Sequence, residues 1–204
     1  MYGLGVATLT SIINGGNYLV RGVETSGMAR IGAGLTIEGG AAWNHSELVR
    51  QATLRWRDGV PIDFSGLRDR KGDPVPDPNG QLGTPLAGAP PFQGHMRARY
   101  EFALNGYEMF AQIAAMHQSH SSTSTFRLAH DIQGHSTVYD LPAFTTYDAA
   151  LGFSKGPWVV QCYGENLTDT HAQLFAFYAA SYKAVTPNRP RTIGFRFAYS
   201  FDGT

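Results

Sequence analysis

From Thr192 to Phe201 the chain alternates strictly. Ile193, Phe195, Phe197, Tyr199 and Phe201 are large and apolar, while Thr192, Gly194, Arg196, Ala198 and Ser200 are small or polar. Successive side chains of a strand point to opposite faces, so this segment predicts one greasy face and one small-or-polar face. Three further segments repeat the pattern. Met96, Ala98, Tyr100, Phe102 and Leu104 alternate with Arg97, Arg99, Glu101, Ala103 and Asn105. Leu35, Ile37, Gly39, Ala41 and Trp43 alternate with Thr36, Glu38, Gly40, Ala42 and Asn44. Thr145, Tyr147, Ala149, Leu151 and Phe153 alternate with Thr146, Asp148, Ala150, Gly152 and Ser154. Less regular patterns predict strands at about 5–13, 17–28, 107–119 and 157–167. The sum is about eight strands, many longer than the roughly five or six residues usual in soluble sheets. Helical periodicity is nearly absent; only Leu174 to Tyr182 reads as a short helix or a continued strand.

The connections alternate in length. Asn105-Gly106 is a two-residue hairpin turn of the kind that requires positive φ. Ser154 to Pro157 and Ala29 to Gly32 are short as well. The links between them, at roughly 47–90, 120–140 and 168–188, are long. The first, with the residue after it, holds Pro61, Pro74, Pro76, Pro78, Pro85, Pro90 and Pro91, so it cannot be strand interior. A compact soluble domain rarely contains a structureless loop of about forty residues. An outer-membrane barrel has short turns on its periplasmic side and long loops outside. Counting back from a final strand that ends in the periplasm puts all three long links outside.

Energetics set the register. A one-residue slip of the strand around residue 100 would turn Arg97, Arg99 and Glu101 toward lipid. Each arginine near the midplane would cost roughly 2–4 kcal/mol, which together would offset much of a domain's stability. These residues are therefore expected to face the lumen, with Arg196 and Glu38. A soluble β-sandwich alternates just as well, but strand length and loop asymmetry weigh against it.

Composition narrows the picture. Sixteen basic and sixteen acidic side chains balance, and no basic stripe with interleaved aromatics appears, which argues against an electrostatic nucleic-acid binder. No apolar run is long enough for a membrane helix, although barrel strands conceal their lipid face by alternating. Cys162 is the single cysteine, so no intramolecular disulfide framework exists. Met1 is followed by Tyr-Gly-Leu-Gly, with neither a basic nor an apolar leader region, and the expectation for a surface protein is then that this chain is a fragment.

Three motifs carry a likeness to a family. Tyr163-Gly164-Glu165-Asn166-Leu167-Thr168-Asp169 resembles the "NL-D" strand end found shortly before the C-terminus of TonB-dependent outer-membrane receptors. Pro190-Arg191-Thr192-Ile193-Gly194 through Phe201 resembles their closing "PRT-G" strand. Arg21-Gly22-Val23-Glu24 is similar to the "RGVE" strand upstream of both. The order matches the family, and the likeness covers essentially residues 1–204 as the C-terminal part of a receptor barrel. One departure is that Asp202-Gly203-Thr204 follow Phe201, where such chains usually end on the aromatic.

The resemblance implies an all-β, antiparallel transmembrane barrel segment in the bacterial outer membrane. It implies receptor-mediated uptake of a scarce nutrient, most often a ferric siderophore, driven by an inner-membrane TonB complex, with no enzymatic activity. The plug domain, the TonB box and the signal peptide would lie upstream. The implied partners are outer-membrane lipid, the plug of the same receptor, TonB and a small-molecule ligand. No cofactor is implied, iron entering only within a transported chelate. The alternative is a small self-contained barrel with a structural or adhesive role, since eight strands can close on themselves.

The remaining chemistry is sparse. His117 and His120 form a His-x-x-His pair, but three residues apart on a strand they point to opposite faces. His130, Asp131 and His135 sit in a long link, where they could touch a ligand or be ordinary solvated loop residues. No Gly-x-Ser-x-Gly elbow or His-Glu-x-x-His motif is present. Arg97, Arg99, Glu101, Arg196 and Glu38 could line a ligand path, or pair with one another or with plug residues. Tyr100, Tyr107, Trp43, Trp158, Tyr199 and Phe201 lie near strand ends and are candidates for interfacial girdles.

Overall fold

The computed structural model describes residues 16–53, 81–123, 139–179 and 182–201, with positions 55, 58–61, 63, 66, 68 and 72. Eleven strands follow one another with no helix among the described residues. They are β1 (Asn17–Ile31), β2 (Leu35–Arg50), β3 (Phe92–Leu104), β4 (Tyr107–Gln118), β5 (Ser121–Ser122) and β6 (Asp140–Leu141). The rest are β7 (Phe144–Lys155), β8 (Trp158–Glu165), β9 (Gln173–Ala179), β10 (Tyr182–Pro187) and β11 (Thr192–Tyr199). Seven form one antiparallel meander in the order β1-β2-β3-β4-β7-β8-β11. Two small pairs, β5–β6 and β9–β10, belong to the long links. The strand expected at 5–13 lies outside the described residues, and β1 and β11 are not paired, so the described sheet is open.

All short connections fall at one end of this sheet and all long ones at the other. The Asn105-Gly106 turn has φ of 51° and 79°, the double positive pair expected of its sequence. The turn between β7 and β8 is Gly156-Pro157, closed by the register pair Lys155–Trp158. The first turn departs from expectation. It occupies residues 32–34 rather than 29–32, because Ala29 and Ile31 continue the alternation and pair with Ile37 and Leu35. Gly32 and Gly34 take φ of 60° and 135°, which side chains on Ala29 to Ile31 would resist. The Leu174–Tyr182 segment resolves as strand, and as a separate hairpin rather than part of the main sheet.

Register partners share a face, so two continuous rows show the pattern. Leu35, Tyr100, Ala111, Leu151, Cys162 and Phe195 lie side by side, as do Ile37, Ala98, Ile113, Ala149, Gly164 and Ile193. On this apolar face Ile113, Leu151, Ile193, Phe195 and Phe197 are exposed by 64–70%. The opposite face carries Glu24, Glu38, Arg97, Arg99, Glu101, Gln112, Asp148 and Arg196. The large side chains thus point away from any protein layer. Among the described residues the buried hydrophobic side chains are Leu48, Leu141, Phe144, Ala150, Ala172 and Ala176. All but Ala150 sit at the long-link end, where residues 83–91 return along β2. There Leu48 N–H donates to the Thr84 carbonyl (2.9 Å), Gly83 N–H to that of Leu48 (2.9 Å), and Asn44 N–H to that of Pro91 (2.8 Å). Among the described residues no second layer covers the apolar face of this sheet.

Candidate functional site

The polar face orders its charges in pairs. Arg97 meets Glu38 across β2 and β3 at 2.6 Å, and Arg99 meets Glu101 at 2.8 Å along β3. The Arg99 guanidinium also lies 3.7 Å over the ring of Phe110, and Arg196 lies 5.7 Å over that of Tyr163. Both rings lean over a glycine directly across the ladder. A Cβ on Gly194 would come within 2.7 Å of the Tyr163 ring, and one on Gly152 would overlap Phe110. Glycine in a strand costs packing, and here the ring takes the space its missing side chain leaves. Beside these pairs Glu24, Glu38, His95, Arg97, Gln118 and Asp148 line a hollow of about 490 Å³. Each ion pair is partly exposed, so each contributes at most about 1 kcal/mol; their effect is to neutralise the face.

The long-link end is held by a clip centred on Asn166, which is 5% exposed and has φ of 50°. Its backbone N–H donates to Asp148 Oδ1 on β7 at 2.8 Å. Its carboxamide Nδ2 donates to the carbonyls of Thr170 and Arg189, each at 3.0 Å, while Oδ1 accepts from Thr170 N–H at 3.0 Å. Leu167 N–H reaches the Tyr147 carbonyl at 2.8 Å, and Thr170 Oγ1 donates to that of Thr145 at 3.0 Å. At φ of 53°, Asp169 accepts the Arg191 N–H on Oδ1 at 3.0 Å. That bond, with the nearby charges of His171 and Arg191, holds the Asp169 carboxyl below the usual carboxylate range against a smaller opposing effect of desolvation. Arg189 donates to Glu165 at 2.7 Å, and the Glu165 hydrogen bond and charge raise its already high pKa. Ala172 and Asn188 close the neck of the β9–β10 excursion through two bonds, at 3.0 and 3.1 Å. The clip therefore joins β7, β8, the neck of the excursion and the start of β11.

The apolar face is bounded by aromatic rings at both ends. At the turn end Tyr100 stacks on Phe102, Tyr107 meets Phe153 edge-on, and Trp158, Tyr199 and Phe201 form a chain with centroids 4.7 Å apart. Trp43 and Phe92 are register partners at the other end, and the Phe92 ring lies 6.0 Å from that of His117. Between these bands the face carries no charged side chain among the described strand residues. Arg21, His45 and Glu47 lie beyond the band at the long-link end, and Lys155 lies at the turn end. A shallow hollow of about 450 Å³ lined by Leu35, Ala98, Tyr100, Ala111 and Leu151 lies within this surface. It has no converging polar groups, and side-chain size alone explains it, alanines standing between larger neighbours.

The residues singled out in the sequence distribute accordingly. Arg97, Arg99, Glu101, Glu38 and Arg196 share the polar face. Glu165, Asn166, Leu167, Asp169, Pro190 and Arg191 converge at the clip, and Phe201 ends the turn-end aromatic chain, 88% exposed. Arg21 and Val23 lie on the apolar face, with Arg21 at its long-link end, and Glu24 lines the polar hollow. A Cβ on Gly22 would overlap the Asn44 side chain. His130, Asp131 and His135 lie outside the described residues. His120 follows the end of β4, so it shares no strand with His117, which bonds instead to Thr145 Oγ1 at 2.8 Å. Among the described residues no group of three or more His, Cys, Asp or Glu is placed to hold a metal. Sequence reasoning did not find Asp148, Thr170, Asn188 or Arg189 as clip partners. Its available signal was Asn166 and Asp169, residue types that tolerate positive φ and bond to nearby backbone.

Two solved structures share this architecture. One is the siderophore receptor PiuA from Acinetobacter baumannii, with a TM-score of 0.60, 17% identity, and coverage of 89% of this chain and 22% of that receptor. The other is the ferric yersiniabactin uptake receptor FyuA from Yersinia pestis, with a TM-score of 0.62, 16% identity, and coverage of 92% and 24%. The fold is that of part of the barrels of these two proteins. This barrel segment spans about a quarter of the length of those receptors. No known family profile and no curated protein matches the sequence.

Proposed function

We propose that this chain is the C-terminal barrel portion of a TonB-dependent outer-membrane receptor that takes up a scarce nutrient, a ferric siderophore-type chelate above all. The observation that carries the proposal is the uncharged apolar face between two aromatic bands. Phe92 and Phe102 stand ten residues apart on β3. At roughly 3.4 Å per residue and a tilt of about 40°, that is a height of about 26 Å, against about 25 Å for the apolar band of an outer-membrane barrel. The short turns then lie on the periplasmic side and the long links outside. Among the described residues β1 and β11 stand at the two edges of the sheet, and in the whole receptor these edges would meet strands of the remaining barrel.

On this reading the polar face lines the lumen. Arg97–Glu38 and Arg99–Glu101 keep its charges paired against the plug, and Arg196, His130, Asp131 and His135 are candidates for the ligand path. The plug domain, the TonB-contacting segment and the signal peptide belong to the rest of the receptor, and iron passes only as cargo. The names of the two structural neighbours, a siderophore receptor and a ferric yersiniabactin uptake receptor, support the choice of ligand class. No part of the reading assigns catalysis.

Membrane fractionation of cells expressing the protein, with gel electrophoresis before and after boiling, tests the reading. The expected result is an outer-membrane species whose migration changes on heating. A protein that is soluble and monomeric without detergent overturns it.

A further inference from the structure

We propose that the turn end of the apolar face binds the phosphate of an anionic glycerophospholipid, with the Lys155 ammonium as its cation; the site rests on the membrane reading above. Lys155 and Trp158 face each other across the Gly156-Pro157 turn. The Lys155 ammonium lies 4.3 Å from the centroid of the Tyr107 ring, and among the described residues it has no carboxylate partner. The acids at this end, Glu101 and Glu108, belong to the opposite face, where Glu101 is engaged by Arg99 and Glu108 accepts from Ser154 at 3.5 Å. Lys155 is the one charged strand residue at the turn end of the apolar face, among those described. At the other end Arg21, His45 and Glu47 are of mixed sign, and His45 approaches Glu47 at 3.9 Å. The charge asymmetry selects an anion on the turn side.

The surroundings fit a lipid rather than a free ion. Trp158 is 55% exposed, and among the described residues its indole N–H and the Tyr107 hydroxyl have no protein hydrogen-bond partner. An ammonium over an aromatic face at the edge of an apolar band sits at headgroup level, where amphipathic rings are enriched. Four residues along β7 from Lys155, about 14 Å, Leu151 opens the apolar hollow with Tyr100 and Ala111. A phosphate at Lys155 would leave its acyl chain lying along that surface.

The test uses the full chain in phosphatidylcholine vesicles, with Trp43→Phe and Trp56→Phe so that Trp158 is the single emitter. Acyl-brominated phosphatidylglycerol is compared with acyl-brominated phosphatidylcholine at equal mole fraction, and the quenching ratio gives the relative affinity at Trp158. The expected preference for phosphatidylglycerol is about fivefold, the factor one lysine's attraction to an anionic lipid supplies. It should fall to about one in Lys155→Gln and persist in Lys155→Arg, which keeps the charge. Equal quenching by both lipids, or an undiminished preference in Lys155→Gln, overturns the site and leaves the membrane reading standing. Quenching by neither lipid overturns both.

Discussion

The carboxamide of Asn166 donates to the backbone carbonyl of Arg189, 23 residues later, at 3.0 Å. One short side chain thus spans the neck of the β9–β10 excursion and fixes where β11 begins. The motif that resembles a receptor strand end has a mechanical role here: it stops β8, supplies a positive φ and returns the chain to the sheet.

Replacing Asn166 with alanine removes three side-chain hydrogen bonds and places an ordinary residue at φ of 50°. At about 1 kcal/mol for each bond and about 1 kcal/mol for the backbone, the combined loss should be about 2–4 kcal/mol. Asn166→Gly keeps the conformation without the bonds and should be about 1 kcal/mol less damaging. Urea unfolding in detergent checks this, and wild-type stability in Asn166→Ala would rule out the clip.

Gly152→Ala should cost about 1–3 kcal/mol, because its methyl group meets the Phe110 ring and approaches the Val160 carbonyl oxygen at 3.0 Å. A Phe110→Leu background should relieve part of this cost. A double-mutant cycle in the same unfolding assay reads the coupling, and strict additivity would show that ring and glycine do not share the space.

Ile113→Arg separates a lipid-facing surface from a soluble one. Ile113 is 64% exposed, and on a water-facing surface the change would be worth within about 0.5 kcal/mol. Near a bilayer midplane it costs roughly 2–4 kcal/mol. Reversible unfolding in phospholipid vesicles measures it, with Gln112→Glu, which faces Arg99 across the ladder, as the tolerated polar-face control.

The clip should loosen in acid. The Asp169 carboxyl is held below its usual range, so its contribution is fully present above the ordinary aspartate pKa and is lost as pH falls through the lowered one. Hydrogen exchange of the Arg191 amide should therefore accelerate, beyond its intrinsic pH dependence, only at pH values below the ordinary carboxylate range. Asp169→Asn should abolish that extra dependence; its persistence would assign the effect to another group.

Much of the sheet was legible because each strand carries its own face. Five of the seven long strands contain Arg, Glu, Gln or Asp only on the face opposite their central large apolar residues, and β1 and β2 break the rule only at their long-link ends, with Arg21 and Glu47, so a slip exposes its error within one segment. The first turn was misplaced by a few residues because Ala29 to Gly32 looks like a turn from composition, while only pairing with β2 reveals that Ala29 and Ile31 continue the strand. Lys155 and Tyr107 were unreadable as a pair, since their approach depends on β4 lying beside β7 across a long link.

By itself the sequence determined which side chains share a face, two of the three tight turns and where the chain must leave the sheet. Those are properties of a two-residue period and of glycine, proline and asparagine backbone preferences, all local to a few residues. The tertiary structure alone decided that β9 and β10 form their own hairpin and that Asp148, Asn166 and Arg189 share one network. It also decided that Trp158, Tyr199 and Phe201 stack in one chain at the turn end. Each of these depends on distances between residues far apart in the chain, and such distances are set by strand order and register.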